Sequence, residues 1–352
     1  MKNNQTEKED CHFNFSFEAN PTILEFLENL PIVIDGCQKN NALCLFKSID
    51  DILVLSYFEF WNYKHRILSY NIIDKKIIHE IKGFDEMTNH LSHYLDKKNK
   101  RDLLLQIICG DDEYNIRNNI YIWNFSNLDC ILNLELVYKE GFIYSASLLK
   151  EKNELYLITS NNSGKELSQP LKVFDIKGNK VDEIKSLKRN INYIDVYFDT
   201  NLNKNFIVLI DGTLSSFDYT TKKLYKKYND KKLSPYGDTI IIKQEKKVVK
   251  IMECDHNGEI KIFNFHTGDL LFNTREGGYG LCCWNDNYIF ATKKYNGFAL
   301  IDISSPINKK YFEGHNMKVF KIVKLIHPKY GECLITVSEK ETKLWIIKKE
   351  VS

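Results

Sequence analysis

The chain has 352 residues, of which 43% are hydrophobic, 27% charged and 13% aromatic, and its formal net charge is +2. Six prolines against 20 tyrosines and 21 phenylalanines reverse the composition of a disordered chain, and the length suffices for a large buried core. The near-balanced charge gives no global argument for a nucleic-acid partner, so any basic surface must be local.

The N-terminal stretch MKNNQTEKEDCHFNFSFEANP is polar and has no apolar core of signal-peptide length. No later run reaches the roughly 18 apolar residues that a membrane-crossing helix needs, so the expected location is intracellular and cytoplasmic. Residues 1–20 read as a mobile tail and residues 21–352 as one folded unit, with a short helix expected over 22–30 (TILEFLENL). An apolar strand, PIVID, follows at 31–35.

From NALCLF onward one pattern recurs: a strand, then an aromatic or large apolar residue, usually Asn or Asp, and another apolar residue. The copies centre on Tyr70, Trp123, Phe174, Phe217, Phe263, Ile301 and Trp345, in LSYNI, IYIWNF, LKVFDI, LSSFDY, IKIFNF, FALIDI and TKLWII. Their spacings of 53, 51, 43, 46, 38 and 44 residues centre on the period of a four-stranded propeller blade. Runs of strand length separated by Gly, Asn, Asp or Lys turns surround each copy, and none carries a long 3.6-residue period. The expected fold is therefore all-β, a seven-bladed β-propeller. After TKLWII only KKEVS remains, too short and too charged for a fourth strand. PIVID is assigned to that place, so that an N-terminal strand closes the ring and removes an exposed edge.

The segment FEGHNMKVFKIVKLIHPKYGECLITVSEKETKLWII carries a Gly314-His315 pair, a strand, a Pro-containing turn, a strand ending near Ser338, and Trp345. In these features the chain resembles the WD-repeat (tryptophan-aspartate repeat) propellers. The resemblance implies a buried hydrogen-bonded set to which His315, Ser338 and Trp345 belong, and a binding platform without intrinsic chemistry. The Asp of that set is missing here, with Glu339 and Glu341 the nearby acids. The other six units lack Gly-His, and only Trp123 shares the Trp.

The nine cysteines show no metal-type spacing and read as buried free thiols. No nucleophile elbow, phosphate loop or HExxH motif occurs, so no enzyme and no cofactor are expected. GGYG (277–280) reads as a turn between units. His90 and His93 could pair on a metal only if helical, since i and i+3 point to opposite faces of a strand. CGDDEYN lacks the alternating spacing of a calcium loop and reads as a solvated turn.

In a four-strand meander (strands a to d), the b-to-c turns and the connections between units share one face. The first three b-to-c turns look long: YFEFWNYKHR, GDDEYNIRNN and SNNSGKELSQP. They offer Tyr57, Phe58, Phe60, Trp61, Tyr63, Arg66, Tyr114 and Arg117, residue types that dominate binding hot spots. This face is expected to hold a protein or peptide partner, the alternative for each aromatic being to fold back onto its blade. The opposite face is rich in basic residues, Lys97, Lys98, Lys100, Arg101, Lys222, Lys223, Lys246 and Lys247 among them. It reads either as a merely solvated surface or as a patch for an acidic partner, anionic lipid or nucleic acid.

Overall fold

The structure, a computed structural model, describes residues 22–30, 44–47, 53–59, 65–84, 87–112, 115–138, 141–143, 145–160, 162–163, 170–185, 191, 193–228, 239–245, 248–254, 258–293, 296–305, 307–338 and 341–349. Successive side chains of a strand face opposite ways, so a run that is apolar at nearly every position needs a partner on both sides. Such runs form the middle strands here, in seven four-stranded antiparallel sheets.

A strand β1 (Thr22–Leu30) comes first in the chain. Sheet one comprises β2 (Cys44–Lys47), β3 (Leu53–Glu59), β4 (His65–Asn71) and β5 (Lys76–Phe84). Sheet two comprises β6 (Met87–Asp96), β7 (Arg101–Asp112), β8 (Asn115–Asn124) and β9 (Asp129–Tyr138). A two-stranded piece, β10 (Gly141–Phe142) with β13 (Asn162–Ser163), flanks sheet three: β11 (Ala146–Glu151), β12 (Glu154–Thr159), β14 (Leu171–Asp175) and β15 (Lys180–Ile184). Sheet four holds β16 (Tyr193–Asp199), β17 (Lys204–Ile210), β18 (Leu214–Asp218) and β19 (Lys223–Lys227). Sheet five holds β20 (Thr239–Glu245), β21 (Val248–Cys254), β22 (Ile260–Asn264) and β23 (Leu270–Thr274). Sheet six holds β24 (Leu281–Cys283), β25 (Tyr288–Thr292), β26 (Phe298–Asp302) and β27 (Lys309–Phe312). Sheet seven joins β28 (Val319–His327), β29 (Gly331–Ser338) and β30 (Thr342–Lys349) to β1 at its outer edge. Among the described residues no helix is long and apolar enough to cross a membrane.

Each pair of neighbouring sheets shares an apolar cluster. Leu104 packs with Ile67 and Ile81 of sheet one, whereas Leu103, Leu105 and Ile107 pack with Ala146, Leu157 and Phe174 of sheet three. In β17, Ile207 and Leu209 face sheet three, and Phe206 and Val208 face sheet five. In β29, Leu334 faces sheet six, while Cys333, Ile335 and Val337 meet Tyr70 and Ile72 of sheet one. Transfer of an aliphatic side chain of this size out of water stabilises by about 1.5–3 kcal/mol. The clusters therefore dominate the stability of the sheets.

The recurring aromatic-Asn/Asp pair has a structural reason. Opposite Tyr70, Trp123, Phe174, Phe217 and Phe263 the fourth strand carries a β-bulge against the third. In five copies the next residue, Asn71, Asp175, Asp218, Asn264 or Asp302, turns its Oδ1 back to accept from the backbone N–H two residues on, at 2.8–2.9 Å. This Asx turn opens the hairpin to the outer strand. The outer residue opposite the aromatic is often an exposed apolar one: Ile77, Leu224, Leu270 or, in sheet seven, Phe26. The Phe26 and Trp345 rings meet edge to face at 5.6 Å.

Residues 22–30 correct one expectation, because they form a strand and not a helix. β1 pairs with β30 in register from Thr22↔Lys349 to Leu30↔Thr342. A bulge between Phe26 and Glu28 shifts the alternation, so Leu24 packs toward sheet six and Leu27 and Leu30 toward sheet one. That phase shift imitates a helical apolar spacing, and the unpaired backbone of β30 decides in favour of the strand. Closure by an N-terminal strand holds for sheet seven, but the edge belongs to β1; residues 31–35 and the expected tail 1–20 lie outside the described residues.

Removing residues 1–30 takes away the β1 ladder and the buried Leu30, and is expected to lower the melting temperature and broaden unfolding, whereas removing residues 1–18 leaves both unchanged. Thermal melts of the two truncations check this; equal melting temperatures would contradict the role of β1.

Candidate functional site

Gly314 and His315 lie between β27 and β28, and the left-handed φ of +137° at Gly314 suits glycine. A Cβ there would stand 2.7 Å from Trp345 Cη2, so the indole requires glycine at this point. Trp345 Nε1 donates to Thr336 Oγ1 at 2.7 Å, and Thr336 Oγ1 lies 2.6 Å from His315 Nε2. An indole N–H only donates, so the Thr336 hydroxyl accepts from it while sharing a second hydrogen bond with Nε2. His315 Nδ1 lies 3.4 Å from Glu341 Oε1, a contact that is electrostatic and not a hydrogen bond. Burial, with Lys343 nearby, lowers the His315 pKa to about 4, against the weaker pull of Glu341.

This corrects the expected set: Thr336 stands where Ser338 was placed. Ser338 instead donates its hydroxyl to Glu341 O at 3.1 Å and so holds the turn before β30. Glu341 occupies the acidic corner. Sheet two repeats the arrangement in a form that the sequence pattern did not announce. Trp345 lies opposite Leu334, two residues before Thr336; Trp123 lies opposite Leu104, two before Gln106. Trp123 Nε1 donates to Gln106 Oε1 at 3.0 Å, and Gln106 Nε2 donates to Thr88 Oγ1 at 2.9 Å. Only the offset from the strand-c Trp would have revealed Gln106.

The b-to-c face differs from expectation. GDDEYNIRNN is no long turn: β7 and β8 pair through Gly110↔Arg117 to Asp112↔Asn115, and the ladder extends sheet two. Arg117 is therefore a strand residue, as are Tyr57 and Phe58 in β3 and Arg66 in β4. Phe60, Trp61, Tyr63 and Tyr114 lie outside the described residues. The third segment carries β13, paired with β10.

On the opposite face the basic residues divide. Arg101 Nε donates to Asp96 Oδ2 at 2.9 Å. Burial raises the Asp96 pKa, but hydrogen bonds from Asn99 and Arg101 outweigh it and leave the carboxyl below its usual range. Lys222 pairs with Asp182 at 2.7 Å and lies over the Tyr219 ring. Lys75, Lys204, Lys243 and Lys324 pair likewise with Glu28, Asp218, Asp286 and Glu332. Of the expected basic set, Arg101 and Lys222 are thus neutralised. Lys223 is exposed on the outer strand β19, and Lys246 and Lys247 lie outside the described residues.

Among the described residues, Lys97 and Lys100, exposed in the β6–β7 turn, form no ion pair, nor do Lys150 and Lys152 at the β11–β12 turn. These two turns meet where Lys98 Nζ approaches Asn153 O at 3.4 Å. Beside them a hollow of about 540 Å³ opens between sheets two, three and four. Tyr94, Leu148, Val196 and Phe198 supply its apolar lining, and Lys150, Lys152 and three asparagines its polar rim. Phe198 is 48% exposed, and Leu202 in the adjoining turn 47%. A second hollow of about 320 Å³ adjoins it through Tyr94, Lys150 and Asn153, and includes Asp96, Glu154 and Asp175.

His90 and His93 lie on strand β6 and do not converge. His93 Nε2 is 2.7 Å from Asp102 Oδ1, and His90 is 3.2 Å from Ser92 Oγ. Burial, then Lys321, lowers the His90 pKa to about 4. Among the described residues no group of three or more His, Cys, Asp or Glu could hold a metal ion. A Tyr225–His266–Asp199 chain, with Tyr225 OH 2.9 Å from His266 Nδ1 and His266 Nε2 3.1 Å from Asp199 Oδ2, ties sheet four to sheet five. GGYG spans the connection from β23 to β24, where a Cβ on Gly278 would meet Lys293 O at 2.6 Å.

Replacing Thr336 with Val leaves the Trp345 indole and His315 without their shared partner and is expected to cost about 1–3 kcal/mol, while Ser338→Ala costs under about 1 kcal/mol. Urea unfolding of the two variants checks the order. A second expectation concerns pH. His90 and His315 both titrate lower in the folded chain than their ordinary value of 6.5, so the unfolded chain binds more protons below that pH. Their contribution to stability is complete above pH 6.5 and lost as the pH falls toward 4. Thermal melts should show this fall, and a shallower one in the His90→Gln, His315→Gln double variant.

No protein-family model matches the sequence, and no curated protein matches it.

Proposed function

We propose that the chain is a closed, seven-bladed propeller of the WD-repeat type that serves as a non-catalytic platform for a protein partner. Support for the ring comes from the succession of apolar clusters, which joins each sheet to the next and sheet seven to sheet one. The His315–Thr336–Trp345 chain supports the WD-repeat reading. One observation favours a platform above all: a concave, half-apolar hollow is carried on turns of three tightly packed sheets, with lysines at its rim that form no ion pair among the described residues. Rigid presentation of an exposed aromatic lowers the entropy lost on association. Such a surface is suited to recognition and needs no reacting group.

Affinity capture of the tagged full chain from the cells that express it tests the platform. Wild type should retain a stoichiometric protein, and Lys150→Glu with Lys152→Glu should lose it at an unchanged melting temperature. A chain that retains no stoichiometric protein contradicts the reading.

A further inference from the structure

We infer that the hollow between sheets two, three and four takes an acidic peptide segment anchored by one large apolar side chain. This rests on the platform reading and specifies the chemistry of its partner. The apolar floor is Tyr94, Leu148, Val196 and Phe198, and its volume of about 540 Å³ falls in the range of ligand pockets. Phe198 lies on a strand, yet half of it is in water, which is costly for a ring with no partner of its own.

Charge determines what surrounds the anchor. Lys150 and Lys152 stand on the rim of the hollow, and Lys97 and Lys100 on the turn beside it. Other lysines pair with a carboxylate of the chain: Lys75, Lys204, Lys222, Lys243 and Lys324 do so at 2.5–3.0 Å. Four unpaired ammonium groups beside an apolar floor are complementary to carboxylates on either side of a buried side chain. The side-chain amides of Asn153 and Asn203, which make no hydrogen bond among the described residues, can meet a peptide backbone as donor and acceptor.

The rim is also pre-shaped. Lys152 and Asn153 both adopt left-handed φ values, +47° and +72°, as a tight two-residue hairpin demands, and Asn203 adopts +52°. Asn205 Nδ2 donates to Lys150 O at 2.9 Å and ties the turns of sheets three and four together. The adjoining hollow presents Asp96, Glu154 and Asp175, so the acids of the peptide are confined to the side of Lys150 and Lys152, and a longer phosphate backbone that would also run past those carboxylates suits the place less well. A bilayer surface is flat and cannot fill a concave floor.

The test uses the full chain and a fluorescein-labelled synthetic peptide with a central Phe among Asp and Glu residues, read by fluorescence anisotropy. Its companions are the same peptide with Phe replaced by Ser, a phosphatidylserine vesicle and a single-stranded RNA oligonucleotide. Binding of the Phe peptide should weaken about tenfold or more in the Lys150→Glu, Lys152→Glu variant, in Phe198→Ser, and when the peptide Phe becomes Ser. Lys223→Glu with Lys226→Glu, on an exposed outer strand, should change it less than about twofold. All variants should melt at or above the wild-type temperature. No binding, equal loss in the Lys223/Lys226 control, or equal affinity for the Ser peptide overturns the inference. Vesicle or RNA binding that depends on Lys150 and Lys152, with the peptide unbound, overturns it in favour of that ligand. In the capture experiment, a partner held equally by wild type and the Lys150/Lys152 variant overturns the peptide site and leaves the platform standing; absence of any captured partner, with the peptide bound at the hollow, overturns the platform alone.

Discussion

The constraint on which the rest of this molecule depends is that its middle strands are apolar on both faces. A sheet with Leu103, Leu105 and Ile107 on one side and Leu104 on the other cannot rest against water on either. Every sheet therefore needs two neighbours, and a row of such sheets has an unsatisfied end unless the last meets the first. Tyr70 and Ile72 of sheet one share an apolar cluster with Cys333, Ile335 and Val337 of sheet seven. The outer strands escape it because they pack on less. β19, KLYKK, and β15, KVDEI, keep lysine and acid on the rim, which blunts an edge that could otherwise pair with another chain.

Turn chemistry then determines what the faces display. The Asx turns after the third strands, together with similar ones at Asp199 and Asn285 after first strands, satisfy backbone N–H groups locally. Several of the same carboxylates attract a neighbouring cation: Asp218 holds Lys204, and Asp96 holds Arg101. The residue that shapes the turn thus also neutralises the surface. Where the first-to-second-strand turn is instead built from Lys152 and Asn153, the flanking Glu151 and Glu154 lie opposite each other and Glu154 accepts from Tyr156, and among the described residues neither pairs with Lys150 or Lys152.

Much of this organisation was legible in the sequence, and the parts that were not have specific causes. The repeat at Tyr70, Trp123, Phe174, Phe217, Phe263, Ile301 and Trp345 was readable because a bulge, an Asx turn or both fall on each copy. β1 was misread because a single bulge at Leu27 changes the phase of its apolar residues, and pattern alone cannot distinguish that from a helix. The second b-to-c segment was misread because polar residues such as Asn115 and Asn119 suggest a loop, while β7 and β9 flank them and pull them into a ladder. Ser338 was chosen over Thr336 on motif position; only strand register places Thr336 under the indole. The basic face was counted in lysines, but pairing is a property of three-dimensional neighbours, and Lys222 and Lys204 meet their acids across 40 and 14 residues of sequence. The hollow drew on three sheets at once and had no linear signature.

Proximity of like charges and exposure of an aromatic are both unfavourable to folding, and here they coincide. Elsewhere on this face the chain provides acids within 3.0 Å of its lysines, so the means of neutralising Lys150 or Lys152 existed within the same turn vocabulary. A surface that forgoes such pairing beside a half-exposed Phe198 carries a local cost that packing does not require, and a cost of that kind is common where residues are kept for recognition and not for stability. The rigid seams on both sides make it tolerable: with sheets three and four locked through Leu149, Ile158, Ile194 and Ile207, a locally unfavourable rim does not loosen the sheets that carry it.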